Sequence, residues 1–147
     1  MATFTFKPHG PFIDKLGQKE IDIDGDSFKA MLTTSSYVPN LDTHAYKSSV
    51  TNEIAGTGYT AGGQLLGGLT WTYNSSTNLW TFDANDITWA NSTLTGRVVV
   101  VYDDTPATDA TKPIVGSGVF DGDVTSNAGP FTVQWGASGL FTVQMPT

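Results

Sequence analysis

The chain reads as an all-β fold: an antiparallel β-sandwich of immunoglobulin-like type, or a partly open barrel, preceded by an extended N-terminal arm. Three observations predict it. Apolar and polar residues alternate with a period of two in segment after segment from Leu69 to the end, the pattern of strands with one wet face. Turn residues recur at short intervals, which suits antiparallel neighbours joined by hairpins. Thr, Ser, Asn and Gly are abundant and only 14% of residues are charged, so strong helix formers are scarce. At 147 residues one core is expected, with residues 1–19 as the arm and 20–147 as a single β domain carrying a long loop at about 35–58.

The arm sets Phe4, Phe6 and Phe12 among Lys7, Pro8, His9, Gly10 and Pro11. It reads either as an aromatic arm laid on a neighbouring subunit or as an edge strand of its own sheet. Phe12 to Gly17 has room for one helical turn. Glu20–Asp24 then alternates acid and isoleucine as a strand would, and Gly25 turns the chain into Ser27–Thr34, where Phe28, Ala30 and Leu32 share one face. Residues 35–58, which include Tyr37, show no period. A loop of that length in a small domain is usually an interaction element.

Leu69–Tyr73 and Leu79–Asp83 flank Asn74–Asn78 as a hairpin, and Ile87–Trp89 is short. Thr93–Tyr102 is the longest strand expected, and its run Val98–Val101 places it centrally with both faces buried. After a charged loop at 103–112 comes Ile114–Phe120. Asp121-Gly122-Asp123 reads as a turn, as does Asp22–Asp26. The final pair, Phe131–Trp135 and Phe141–Met145 around Gly136-Ala137-Ser138-Gly139, looks like the clearest hairpin of all.

Charge and composition narrow the function. Seven basic residues against fourteen acidic ones leave −7, which disfavours a phosphate-backbone binder and an anionic membrane surface. With no cysteine, thiolate metal sites and cysteine nucleophiles are excluded. The N-terminus has no secretory pattern and the longest apolar run is four valines, so a soluble protein made in the cytoplasm is expected.

His9 and His44 stand alone in loop-like segments, and no GxSxG or HExxH spacing occurs. In Asp22-Ile23-Asp24-Gly25-Asp26 the glycine is misplaced for a calcium loop and the end glutamate is missing. Asp83 and Asp86 beside Trp80 and Trp89 evoke a glycosidase, although Asp83–Asp86 reads better as a turn. The glycine-rich stretch Ser49–Gly68 has the wrong intervals for a phosphate loop. Its residues Gly58, Gly62 and Gly63 instead suggest a tight structural loop pinned by Tyr59. No catalytic residue, metal ligand or cofactor is assigned.

Taken in order, Lys29–Pro39 (KAMLTTSSYVP), Asp42-Thr43-His44, Val50–Ile54 (VTNEI), Gly56–Gly63 (GTGYTAGG) and Phe82–Ala90 (FDANDITWA) resemble a family of small virion structural proteins encoded by tailed bacteriophages and prophages. The resemblance runs from about Ile21 to Phe141 and includes Val99–Tyr102 and Phe131–Trp135. It implies a non-enzymatic part of the phage particle, assembled in the host cytoplasm and located in the virion. Small size, the arm and the long loop then favour a capsid decoration or cement protein that binds the major capsid protein as a homo-oligomer, with a trimer as the guess. Phe4, Phe6, Phe12, Tyr37 and Tyr59 are the candidate contacts with capsid or subunit. The alternatives are a tail or head–tail-junction component, and a carbohydrate-binding surface adhesin using Trp71, Trp80, Trp89 or Trp135.

Overall fold

The computed structural model describes residues 3–147 and holds ten strands and one α-helix among them. A five-stranded antiparallel sheet has the order β1 (Phe6–Pro8), β8 (Ile114–Thr125), β7 (Thr95–Asp103), β2 (Phe28–Thr33) and β3 (Gln64–Leu65). Facing it are a three-stranded sheet, β10 (Phe141–Gln144), β5 (Leu79–Asp83) and β4 (Thr70–Asn74), and a two-stranded one, β6 (Ile87–Ser92) with β9 (Gly129–Val133). The result is sandwich-like, with no closed barrel. One core joins the layers, with Phe28, Leu32, Val99, Val101 and Val115 from the large sheet meeting Phe82, Phe141, Trp89, Phe131 and Val133 from the other two.

β7 is an inner strand, paired with β2 on one side and β8 on the other. Val98–Val101 are all essentially inaccessible, Val99 and Val101 in the main core and Val98 and Val100 on the opposite face. Burial of each valine contributes roughly 1.5–3 kcal/mol. The opposite face is covered because the loop at 35–58 lies over it. Tyr37 and Val50 from that loop pack on Met31, Val98, Val100, Tyr102 and Ile114. Backbone bonds from Thr34 N to Asn52 O (2.9 Å) and from Ile54 N to Leu32 O (3.0 Å) tie it to β2.

Several expectations are corrected. The N-terminal segment folds into its own domain, β1 pairing with β8 from Phe6↔Gly118 to Pro8↔Gly116, so of its two readings the edge strand holds. It continues into two helical turns, α1 (Gly10–Gly17), where Pro11 suits the first turn, Lys15 the last, and Phe12 enters the core. Residues 20–24 are not a strand. Asp22 Oδ1 accepts the N–H groups of Asp24 (3.1 Å) and Gly25 (3.2 Å), and that side-chain capture bends the alternating segment into a turn. Asp121-Gly122-Asp123 is no turn either but lies inside β8, which at twelve residues exceeds the nine of β7.

The hairpin β4–β5 forms as expected, with Asn74 Oδ1 accepting from Ser76 N (2.9 Å) and Thr77 N (3.3 Å) in its loop. The final hairpin does not form. Gly136-Ala137-Ser138-Gly139 turns tightly, Gly139 N bonding Gly136 O at 2.9 Å, but β9 pairs with β6 and β10 pairs with β5. Trp135 donates its backbone N–H to Asp86 Oδ1 (2.9 Å) and its indole N–H to Asn85 O (3.0 Å), while Leu140 N bonds Phe82 O (2.8 Å). These bonds hold the chain at a corner where it changes sheet.

Candidate functional site

The residues expected to touch a capsid or a second subunit are distributed unevenly between core and surface. Phe6, Phe12 and Tyr37 are buried, and Phe4 is half-buried. Phe4 meets Phe120 and Trp135 edge-on with centroids at 4.9 and 6.0 Å, and Phe12 meets Phe141 at 5.4 Å. These rings stabilise the domain itself, and none of the buried three can reach a partner without leaving the core. The N-terminal aromatics look like an arm in the sequence because alternation marks a strand without naming the sheet it joins.

Tyr59 and the glycine loop form a tied network. Tyr59 Oη accepts from Leu32 N (3.1 Å) and donates to Glu53 Oε1 (2.8 Å), and the same carboxylate oxygen receives Gly62 N–H. Tyr102 Oη donates to Gly62 O at 2.7 Å. Burial pushes both phenols well above their ordinary range. Gly63 adopts φ 81°, and a Cβ there would stand 1.9 Å from Ala30 O, so the loop backbone lies directly on β2. Gly58 also has positive φ, and a Cβ there would meet Asn91 O at 2.6 Å. The loop is pinned to its own domain.

His9 is not a solvated loop residue. Its Nδ1 donates to His44 O (2.8 Å), which leaves Nε2 to accept from the Ser117 hydroxyl (2.9 Å). Burial holds His9 below its ordinary pKa, so the ring is neutral. A neutral histidine on a serine is the geometry of a base and a nucleophile. Ser117, however, is 3% exposed and sits mid-strand between Lys7 of β1 and Val100 of β7. The pair satisfies two buried polar side chains. His44 Nδ1 accepts from Tyr37 Oη (2.9 Å) and Asn40 N (3.3 Å), closing the same cluster. Burial raises the Tyr37 phenol to about 12.

Asp103, at the end of β7, is fully buried. Its Oδ1 accepts from Thr105 N (2.8 Å) and its Oδ2 has no hydrogen-bond donor. Burial, reinforced by the neighbouring Asp26 carboxyl, pushes it up to about 6. Among the described residues no group of three or more His, Cys, Asp or Glu side chains is placed to hold a metal ion.

The outer surface offers a feature absent from the sequence reading. On the outer face of the large sheet, where β1 pairs with β8, Val38, Pro39, Leu41 and Val119 line a groove of about 410 Å³ with Thr5, Lys7 and Ser117. A smaller one of about 190 Å³, reaching Arg97, shares Val38, Pro39 and Val119 with it. Val38 is 76% and Val119 47% exposed. Exposed apolar side chains grouped on an outer sheet face mark a contact surface. Val119 shares the outward register of Asp121 and Asp123 in β8, but the rest of the groove, Val38, Pro39 and Leu41, lies in a segment without period.

The four tryptophans divide into two pairs. Trp89 and Trp135 are buried, whereas Trp71 and Trp80 are half-buried and stacked at 5.0 Å with an interplanar angle of 14°. Comparison of the chain with protein families, with characterised proteins and with solved structures finds no match.

Proposed function

We propose that this chain is a non-enzymatic structural protein of a tailed-phage particle, a decoration protein that docks on the major capsid protein and reinforces the head. The observation that carries the reading is the groove of Val38, Pro39, Leu41 and Val119 on the outer face of β1 and β8, an apolar strip with Lys7 at one side and Arg97, paired with Asp123 at 3.4 Å, at the other. Lys7 takes part in no ion pair among the described residues, so the strip favours an apolar segment with a carboxylate beside it. The segments that resemble virion proteins support the same class of function. Gly63 against Ala30, Tyr59 on Leu32 and Glu53, and Phe82 and Trp89 in the core all maintain the fold. Many weak copies on one particle would raise its stability by mass action.

Electron microscopy of assembled particles tests the proposal. Density for this chain on the head surface, in a trimer or other symmetric cluster, is the expected result. Density confined to the tail or the head–tail junction would replace it with the junction reading. A Val38→Asp, Val119→Asp double variant should fold as the parent does and fail to load onto heads.

A further inference from the structure

A second surface, sharing no residue with the Val38–Val119 groove, has different chemistry. Between the end of α1, the 21–24 turn and β4 lies a cleft of about 460 Å³. Leu16, Ile23 and Trp71 form its apolar side and pack onto the main core. Lys19, Asp22 and Asp24 are exposed at its rim. Lys19 takes part in no ion pair among the described residues, and no hydrogen bond engages the Asp24 carboxylate. Trp80 stacks on Trp71, and Tyr73, 45% exposed, extends the row at 5.2 Å from Trp80. Trp71, the ring of this row that lines the cleft, is thus held in place by Trp80 before anything binds, which lowers the ordering cost of a ligand.

We propose that this cleft binds a neutral saccharide, a pyranose ring laying its C–H face against Trp71 while its hydroxyls reach Asp24 and Lys19. The mixed rim selects the chemistry. Two carboxylates repel phosphates and anionic headgroups, and a single ammonium is too little to offset them. A polyol donates to the carboxylates and accepts from the ammonium with no net charge to neutralise. The volume lies within the usual range for small-ligand sites, and the wall-and-rim arrangement of apolar floor with few polar groups is the common design of such sites. Trp89 and Trp135 take no part, since both are buried. This inference does not rest on the phage-particle reading.

The test is titration of the intact chain with a panel of neutral mono- and disaccharides of glucose, galactose and N-acetylglucosamine, read by indole fluorescence and by NMR of the indole N–H signals. At least one sugar should give a saturable change at Trp71 and Trp80 with a Kd of about 1 mM. Trp71 also neighbours Phe82 and Phe141, so the rim variants carry the test. A Lys19→Ala, Asp24→Ala double variant should keep its thermal midpoint and bind roughly tenfold more weakly. No saturable change with any sugar overturns the proposal, and so does binding that the double variant leaves intact. A response to inorganic phosphate or to anionic vesicles in place of the sugars overturns it as well.

Discussion

The five-stranded and the three-stranded sheets are built from similar alternating strands and end up in different environments. In the large sheet β2, most of β7 and the start of β8 are covered twice, by the opposing sheets on one face and by the 35–58 loop on the other, while Val119 further along β8 is exposed. In the small sheet the aromatic face of β4, β5 and β10 is covered only at one end. Phe82 and Phe141 are buried there, while Trp80 is half-buried and Tyr73 exposed along the same face. Residues of one chemical type therefore act as core at one end of a strand and as surface two positions away. Burial depends on where the second layer stops, and a strand cannot specify that alone.

The comparison can be broken most severely at Gly63, where the loop that covers β2 meets it. A side chain at this positive φ, with its Cβ directed into Ala30 O, has no space. Gly63→Val should cost about 4 kcal/mol or more and leave little folded protein, as measured by circular dichroism and thermal melting. Next in size is the contrast within β5. Phe82→Ala removes a fully buried ring and should cost about 3–5 kcal/mol, whereas Trp80→Ala, one pleat further out, should cost about 1 kcal/mol. Equal losses in denaturant midpoints would show that the small sheet is as well covered as the large one.

A pH-dependent effect of intermediate size lies at the end of β7. Asp103 is raised to about 6 in the folded chain from an ordinary 3.8, because burial favours its neutral form. Its stabilising contribution is complete below about pH 4 and is lost as pH rises through about 6. Relative to an Asp103→Asn variant, the protein should lose roughly 2–3 kcal/mol between pH 4 and 8. Carboxylates lowered by lysines, the half-buried Asp104 among them, have the opposite slope, and the asparagine reference cancels them. A constant difference between the two proteins would show that Asp103 is ionised throughout.

Parts of both the large and the three-stranded sheet were legible. Four consecutive valines require burial on both faces, so an inner position for β7 follows from the pattern, and Asn74–Asn78 marks its hairpin by side chains that bond their own turn. The misreadings share one cause. Ile21 and Ile23 alternate like a strand, yet the Asp22 side chain captures nearby N–H groups and makes a turn. Phe131–Trp135 and Phe141–Met145 alternate around a real turn, but bonds from Trp135 to Asn85 and Asp86 send them to different sheets. Of the surface features, the Trp71–Trp80 pair could be suspected from its residues. The Val38–Val119 groove could not, because its other wall, Val38 to Leu41, lies in a segment with no period and its folding over β8 is a long-range contact.

By itself, then, the sequence determined the strand-rich class, the central valine strand and the tight glycine loop, since each follows from local sterics and side-chain periodicity. Only the tertiary structure decided that the N-terminal aromatics complete the core, that the last two strands part company, and which tryptophans face water. Those outcomes depend on contacts between residues far apart in the chain, and periodicity records which side of a strand is apolar without recording what will cover it.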